Sequence, residues 1–139
     1  MTPAPYSKRR SVGAVLAGFV VILIFSTAID VGLHLTAVFP PPGQAMSDGL
    51  WLLAISYRLV LGVVGSYVAA RLTPARPMPH ALALGFLGLA ICVAGAVVAW
   101  NRGPGFGPHW FHFGLIASTL PSAWLGGRLQ LTRSANPAV

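Results

Sequence analysis

The sequence predicts an all-α membrane protein with four transmembrane helices in an antiparallel bundle. Of its 139 residues, 55% are apolar and 8% are charged, whereas soluble domains carry roughly 25% charged residues. Four apolar segments are long enough to cross a bilayer, which takes about 20 residues per helix. The links between them are short and contain proline and glycine, so consecutive helices are expected to be antiparallel neighbours.

The four predicted spans form a single domain, residues 11–129. The first carries no charge before Asp30, the second has Arg58 in its interior and Arg71 at its end, and the third is uncharged. Pro121 lies inside the fourth, where it removes one backbone hydrogen bond and is expected to kink the helix. The spans cover residues 11–35, 50–72, 81–100 and 110–129.

The basic residues predict the orientation. Cytoplasmic loops of membrane proteins carry an excess of lysine and arginine. Here these residues collect at one side, which includes a basic N-terminal segment, residues 1–10, and a C-terminal tail, residues 130–139, whereas the outer loops hold only Arg102. We therefore expect a multi-pass protein of the bacterial inner membrane with both termini in the cytoplasm. The basic residues on that side are Lys8, Arg9, Arg10, Arg71, Arg76, Arg128 and Arg133.

The net charge of +7 would favour nucleic acid as a partner in a soluble chain. In this chain the charges flank apolar segments and form no tract. The predicted partners are therefore membrane lipids, and no nucleic acid.

The N-terminus also matches a cleavable signal peptide. Basic residues precede an apolar stretch, residues 12–25, and the small residues Ser26, Thr27 and Ala28 follow. Cleavage there would remove residues 1–28. Mass spectrometry of the membrane-extracted protein distinguishes the two hypotheses.

Short matches between the two halves predict two hairpins related by internal duplication. YVAARL, residues 67–72, matches WLGGRL, residues 124–129, and AVLAGF, residues 14–19, matches ALALGF, residues 81–86. Each outer loop also contains a Pro-Gly pair. Because each unit would hold two spans, the copies would be parallel repeats about an axis along the membrane normal.

Small residues, most of them glycines, recur at three- to four-residue spacing on the second and third spans. Such spacing allows helix backbones to approach closely in a membrane. These residues are predicted to hold the bundle together, or to join it to a second copy or another membrane protein. They are Gly62, Gly65, Gly85, Gly88 and Gly95.

Asp30 and Arg58 are predicted to meet between the first two spans. At about 1.5 Å per residue, Asp30 lies about 30 Å above Arg10, and Arg58 lies about 20 Å above Arg71. An arginine side chain is long enough to bridge the difference between these two heights. An unpaired charge deep in the bilayer costs about 2.5–3.5 kcal/mol. The pair could fix the register of the helices or line a polar cavity that opens outward; alternatively, Arg58 reaches a lipid phosphate.

Histidines extend this intramembrane polar cluster, which comprises Asp30, His34, Arg58 and His112. His34 follows Asp30 on one helix face, and His109 and His112 share another. His34, His109 and His112 could together bind a metal or a haem. Because there is no HExxH motif and no nearby cysteine, hydrogen bonds to loop carbonyls explain them more simply, and neither a metal nor a cofactor is predicted.

No enzymatic motif is present. The chain has no GK[ST] phosphate loop and no GxSxG, and its two carboxylates are too few and too separated for paired acid–base catalysis. The leading hypothesis is a non-enzymatic structural or interaction bundle. The alternatives are a small ion- or proton-coupled transporter that uses Asp30 and Arg58, and metal or haem binding by the three outer histidines.

Several segments carry a resemblance to a known group: FPPPGQAMSDGLW, YRLVLGVVGSYVAARL, RPMPHALALGFLGL, WNRGPGFGPHW and AWLGGRL. Together they resemble a family of small uncharacterised bacterial inner-membrane proteins over residues 12–129. The resemblance implies an inner-membrane location and no catalytic residue. The chain is less similar to small multidrug transporters, whose acidic residue lies in the first half of the first span, whereas Asp30 lies near its end.

Overall fold

The computed structural model describes residues 8–73 and 75–136, and no β-strand lies within these ranges. The prediction of an all-α chain with four long helices is confirmed. A short 3-10 helix, Pro104–Phe106, lies in the last link. The α-helices are α1 (Lys8–Leu35), α2 (Asp48–Leu72), α3 (Pro77–Ala99) and α4 (His109–Ala135).

The helix ends lie within three residues of the predicted spans except at two places. α3 begins at Pro77 rather than at residue 81, because proline suits the first turn of a helix, where its missing N–H would have no helical partner. α4 continues to Ala135, into the segment predicted as a tail, residues 130–139. It also runs through Pro121 without ending.

The helices pack in the ring order α1, α2, α4, α3, and α2 also contacts α3 across the ring. α2 therefore touches every other helix. α1 packs chiefly on α2 and only lightly on α3. As a result, the buried residues of α1 are Ala14 and Gly18 alone.

Glycines bring the helices into backbone contact. A Cβ atom on Gly18 would collide with the carbonyl oxygen of Gly65, and one on Gly65 would collide with Ile22. A Cβ on Gly85 would lie 2.5 Å from that of Ala123, so α3 and α4 also pack without room for a larger residue. Close approach of this kind gains many small dispersion contacts at once.

Gly95 differs from the other four glycines predicted to pack. A Cβ on Gly62 or Gly88 would lie 3.3 or 3.1 Å from an α4 side chain, but one on Gly95 would meet nothing within 4 Å. Ala96 is buried instead. At about 100° per residue, position 96 lies about 20° from the direction of Gly85, whereas position 95 lies about 80° away.

Three helices, α1 to α3, are long and apolar enough to cross a membrane. α4 has sufficient length, 27 residues, but it is less apolar because it contains hydroxyl side chains, two histidines and two arginines. Its polar residues between positions 113 and 125 are buried or half-buried. The exposed residues of that stretch are all apolar: Phe113, Ala117, Pro121, Trp124 and Leu125.

Matched positions in the two halves of the chain have equivalent surroundings. Each small residue that the repeated motifs share is buried in both copies. In the outer loops, the backbones of Gly43 and Gly105 are in contact, so the two Pro-Gly pairs meet. The matched buried pairs are Ala14 with Ala81, Gly18 with Gly85, Ala69 with Gly126, and Ala70 with Gly127.

Candidate functional site

A polar cluster connects α1 to α2. Arg58 Nη2 donates to both oxygens of the Asp30 carboxylate, at 2.8 Å to Oδ2 and 3.1 Å to Oδ1. The hydroxyl of Tyr57 donates to Oδ1 of the same group. Two consecutive residues of α2 thus bind one carboxylate of α1, and hydrogen bonds to a charged group are stronger than those between neutral groups.

Arg58 is also held by its own helix. Its Nη1 donates to the carbonyl oxygen of Ala54 at 3.2 Å, and the guanidinium carbon lies 5.0 Å from the centre of the Tyr57 ring. The side chains of Arg58 and Asp30 are 30% and 31% exposed. Because the pair is partly shielded from water, its attraction is screened less than that of a fully exposed pair.

His34 lies beside the cluster but faces its own helix. Its Nδ1 lies 2.7 Å from the backbone oxygen of Asp30, and its ring meets that of Phe39 edge to face at 5.5 Å. Since a carbonyl oxygen can only accept, Nδ1 carries the proton in this contact.

The other two outer histidines lie apart from this carboxylate. His109 stacks on Trp100 with ring centres 4.1 Å apart. His112 is 8% exposed, and its Nε2 has no hydrogen-bond partner among the described residues. Within the part of the chain that the structure describes, no three histidine, cysteine or acidic residues are grouped so that they could hold a metal. His112 is therefore not part of the Asp30 network.

A vestibule of about 370 Å³ opens next to the ion pair. Asp30, His34 and Arg58 form its polar side, and the proline-rich link after α1 together with Gly105 and Phe106 forms much of the rest. Beneath it, a small hydrophobic core closes this end of the bundle: Phe39, Trp51, Ala54 and Phe111.

Arg58 also borders a second cavity, a cleft of about 290 Å³ lined by all four helices. The wall of the cleft is mainly apolar, with several hydroxyl groups. Those of Ser118 and Thr119 donate to the backbone oxygen of Leu115, at 3.0 and 2.7 Å. Among the described residues, Arg58 is the one that lines both the vestibule and the cleft.

Tyr57 is a member of the polar cluster that was not predicted from the sequence. The available signal was its position directly before Arg58, the partner already assigned to Asp30. The side chains of consecutive helical residues point about 100° apart. Tyr57 and Arg58 can therefore both reach the Asp30 carboxylate only when α1 lies between the directions in which these two side chains point. The sequence alone does not reveal that rotation.

No protein-family model, curated protein or solved structure matches this chain. Its function is therefore inferred from the chain's own geometry.

Proposed function

We propose that the protein is a non-enzymatic, multi-pass protein of the bacterial inner membrane in which all four helices cross the bilayer as an antiparallel bundle. Large apolar side chains are exposed along α1, α2 and α3, a surface that suits lipid rather than water. The exposed apolar row on α4 supports a fourth span, because the polar residues between positions 113 and 125 are buried or half-buried.

The matched burial of the two hairpins and the contact between Gly43 and Gly105 support an internal duplication. The concentration of basic residues on one side supports cytoplasmic termini. Such a bundle acts through association, with membrane lipids and with a second copy or another membrane protein.

The Asp30 cluster is proposed to lock α1 onto α2. This proposal rests on the hydrogen bonds that the Asp30 carboxylate accepts from Tyr57 and Arg58 of the neighbouring helix. α1 depends on α2 for most of its packing. The contact of Gly18 with Gly65 holds the first half of α1, and the ion pair, about 18 Å further along the helix, holds the second.

A double-mutant cycle tests this lock. Asp30→Asn, Arg58→Gln and the double variant are unfolded in detergent micelles, and the free energies of unfolding are compared. We expect each single variant to be destabilised and the pair to show a coupling of about 0.5–3 kcal/mol, as contacting residues do.

Asp48→Asn combined with Arg58→Gln is the control cycle. Asp48 is the other carboxylate of the chain, and its Oδ1 accepts from Trp110 Nε1 at 3.2 Å rather than from Arg58. That cycle should be additive. Additive effects of Asp30 and Arg58 would contradict the lock.

A second candidate function is that of a small ion- or proton-coupled transporter. The position of Arg58, which lines both the vestibule and the cleft, favours this function. Withdrawal of the guanidinium from Asp30 would join the vestibule to the cleft and leave the carboxylate able to take up a proton. Proteoliposomes that contain a pH-sensitive dye test this function under an imposed proton gradient. Proton flux that Asp30→Asn abolishes without loss of folding would support transport, whereas absence of flux in the wild-type protein would favour the lock.

A further inference from the structure

Two arginines of different helices converge on one phenol at the end of the bundle opposite the vestibule. Arg71 Nη1 and Arg133 Nη1 each donate to the Tyr67 hydroxyl oxygen, and each lies 3.4 Å from it. Arg71 is in the last turn of α2 and Arg133 in the last turn of α4. The packing of these two helices therefore holds two positive charges near each other.

No acidic side chain offsets these two charges. The sequence contains two acidic residues. Asp30 binds Arg58, and Asp48 stands at the first turn of α2, about 35 Å from Arg71 along the helix. Two like charges repel at short range, and an anion placed between them replaces this repulsion with attraction.

We infer that Tyr67, Arg71 and Arg133 form a binding site for a phosphate group. Guanidinium groups present paired N–H donors that match phosphate oxygens. The Tyr67 oxygen accepts from both arginines, and its hydroxyl keeps a proton that it can donate to the same ligand. Both arginines are exposed, so a ligand can reach them from outside the bundle.

The source of the phosphate follows from the proposed membrane location, on which this part of the inference rests. In the proposed orientation this end of the bundle lies at the cytoplasmic headgroups, where anionic lipids attract basic residues. The ligand is then the headgroup of an anionic phospholipid. Free phosphate offers the same chemistry in solution.

Native mass spectrometry of the full chain, extracted from membranes in detergent, tests the site with phosphatidylglycerol as the probe. Wild-type protein should retain the lipid, and R71Q/R133Q should retain about tenfold less, since each basic residue near the surface adds to lipid attraction. R9Q/R10Q is the matched control, because it removes the same charge from the same predicted side outside the site.

Retention by the control together with loss in R71Q/R133Q supports the site. Equal loss in both variants would assign binding to overall charge and overturn it, as would full retention by R71Q/R133Q. Tyr67→Phe, which removes the hydroxyl alone, should reduce retention by a smaller factor than the double variant.

Competition with inorganic phosphate distinguishes the two ligand sources. Displacement of phosphatidylglycerol by inorganic phosphate would identify a site for free phosphate, and resistance to displacement would identify a lipid site. Cell fractionation tests the membrane location separately. Protein in the soluble fraction would contradict the proposed function, whereas membrane-bound protein whose R71Q/R133Q variant still retains the lipid would contradict this site alone.

Discussion

The carbonyl oxygen of Gly65 in α2 lies against the α-carbon of Gly18 in α1, with no room for a side-chain atom between them. A methyl group on Gly65 would collide with Ile22 and lie 2.7 Å from the carbonyl oxygen of Gly18. Gly65→Ala would therefore push the helices apart, and such overpacking costs about 1–3 kcal/mol. Unfolding in detergent, followed by tryptophan fluorescence, measures the loss of stability. Gly95→Ala is the control, because its Cβ would meet nothing within 4 Å; equal destabilisation by both changes would contradict the packing assignment.

Tyr57→Phe removes one of the donors to Asp30 and leaves the ion pair with Arg58 in place. We expect a loss of about 1.5–3 kcal/mol in the free energy of unfolding, the range for a hydrogen bond to a charged group. Tyr67→Phe serves as the comparison, because its hydroxyl contacts are exposed and long, at 3.4 Å. A larger loss for Tyr67→Phe than for Tyr57→Phe would contradict the prediction.

The contact between Gly43 and Gly105 predicts that the outer loops move together. A methyl group on Gly105 would overlap the Gly43 backbone, so Gly105→Ala should loosen the link between α1 and α2 around the vestibule. Hydrogen–deuterium exchange over residues 40–46 should become faster. Gly13→Ala, at a position with nothing within 4 Å, should leave the exchange of that link unchanged.

Cysteine labelling tests the proposed orientation. Cys92 is the single cysteine of the chain, so single-cysteine variants are made in a Cys92→Ser background. Gln44→Cys, in the link after α1, should react with a membrane-impermeant maleimide in spheroplasts, and Ser134→Cys, near the end of α4, should react only after lysis. The opposite pattern would invert the orientation, and labelling of both sites in spheroplasts would contradict the four-span arrangement.

His34, His109 and His112 have different surroundings, which disfavours a metal or haem site that they share. Nδ1 of His34 already donates to the Asp30 backbone, and His109 stacks on Trp100. Purified protein is therefore expected to show no haem absorbance and no stoichiometric metal in elemental analysis. A bound metal that is lost in His112→Ala but retained in His80→Ala would revive the metal hypothesis.

The polar cluster can be located from the sequence because charged residues are rare in apolar helices, where an unpaired charge is energetically costly. The contact of Tyr57 with Asp30 could not be predicted in this way, because a tyrosine in a predicted span can equally pack against other helices or lie at the membrane interface. Within the single chain, Ala96 is buried, whereas a Cβ on the predicted packing residue Gly95 would meet nothing within 4 Å. A stripe read at three- to four-residue spacing drifts around a helix of 3.6 residues per turn, and the error grows with distance from its starting point.

The sequence by itself determined that the chain is helical, where its long apolar segments lie, and that Arg58 is the one arginine in the interior of a predicted span that can pair with Asp30. These properties depend on composition and chain position. Only the tertiary structure decided the ring order of the helices, the meeting of Gly43 with Gly105, the convergence of Arg71 and Arg133 on Tyr67, and the place of Arg58 between two cavities. The physical reason is that an apolar helix surface is about equally stable against lipid and against another helix. Hydropathy therefore does not determine which face of a helix packs in the bundle. Shape complementarity between the helices determines it.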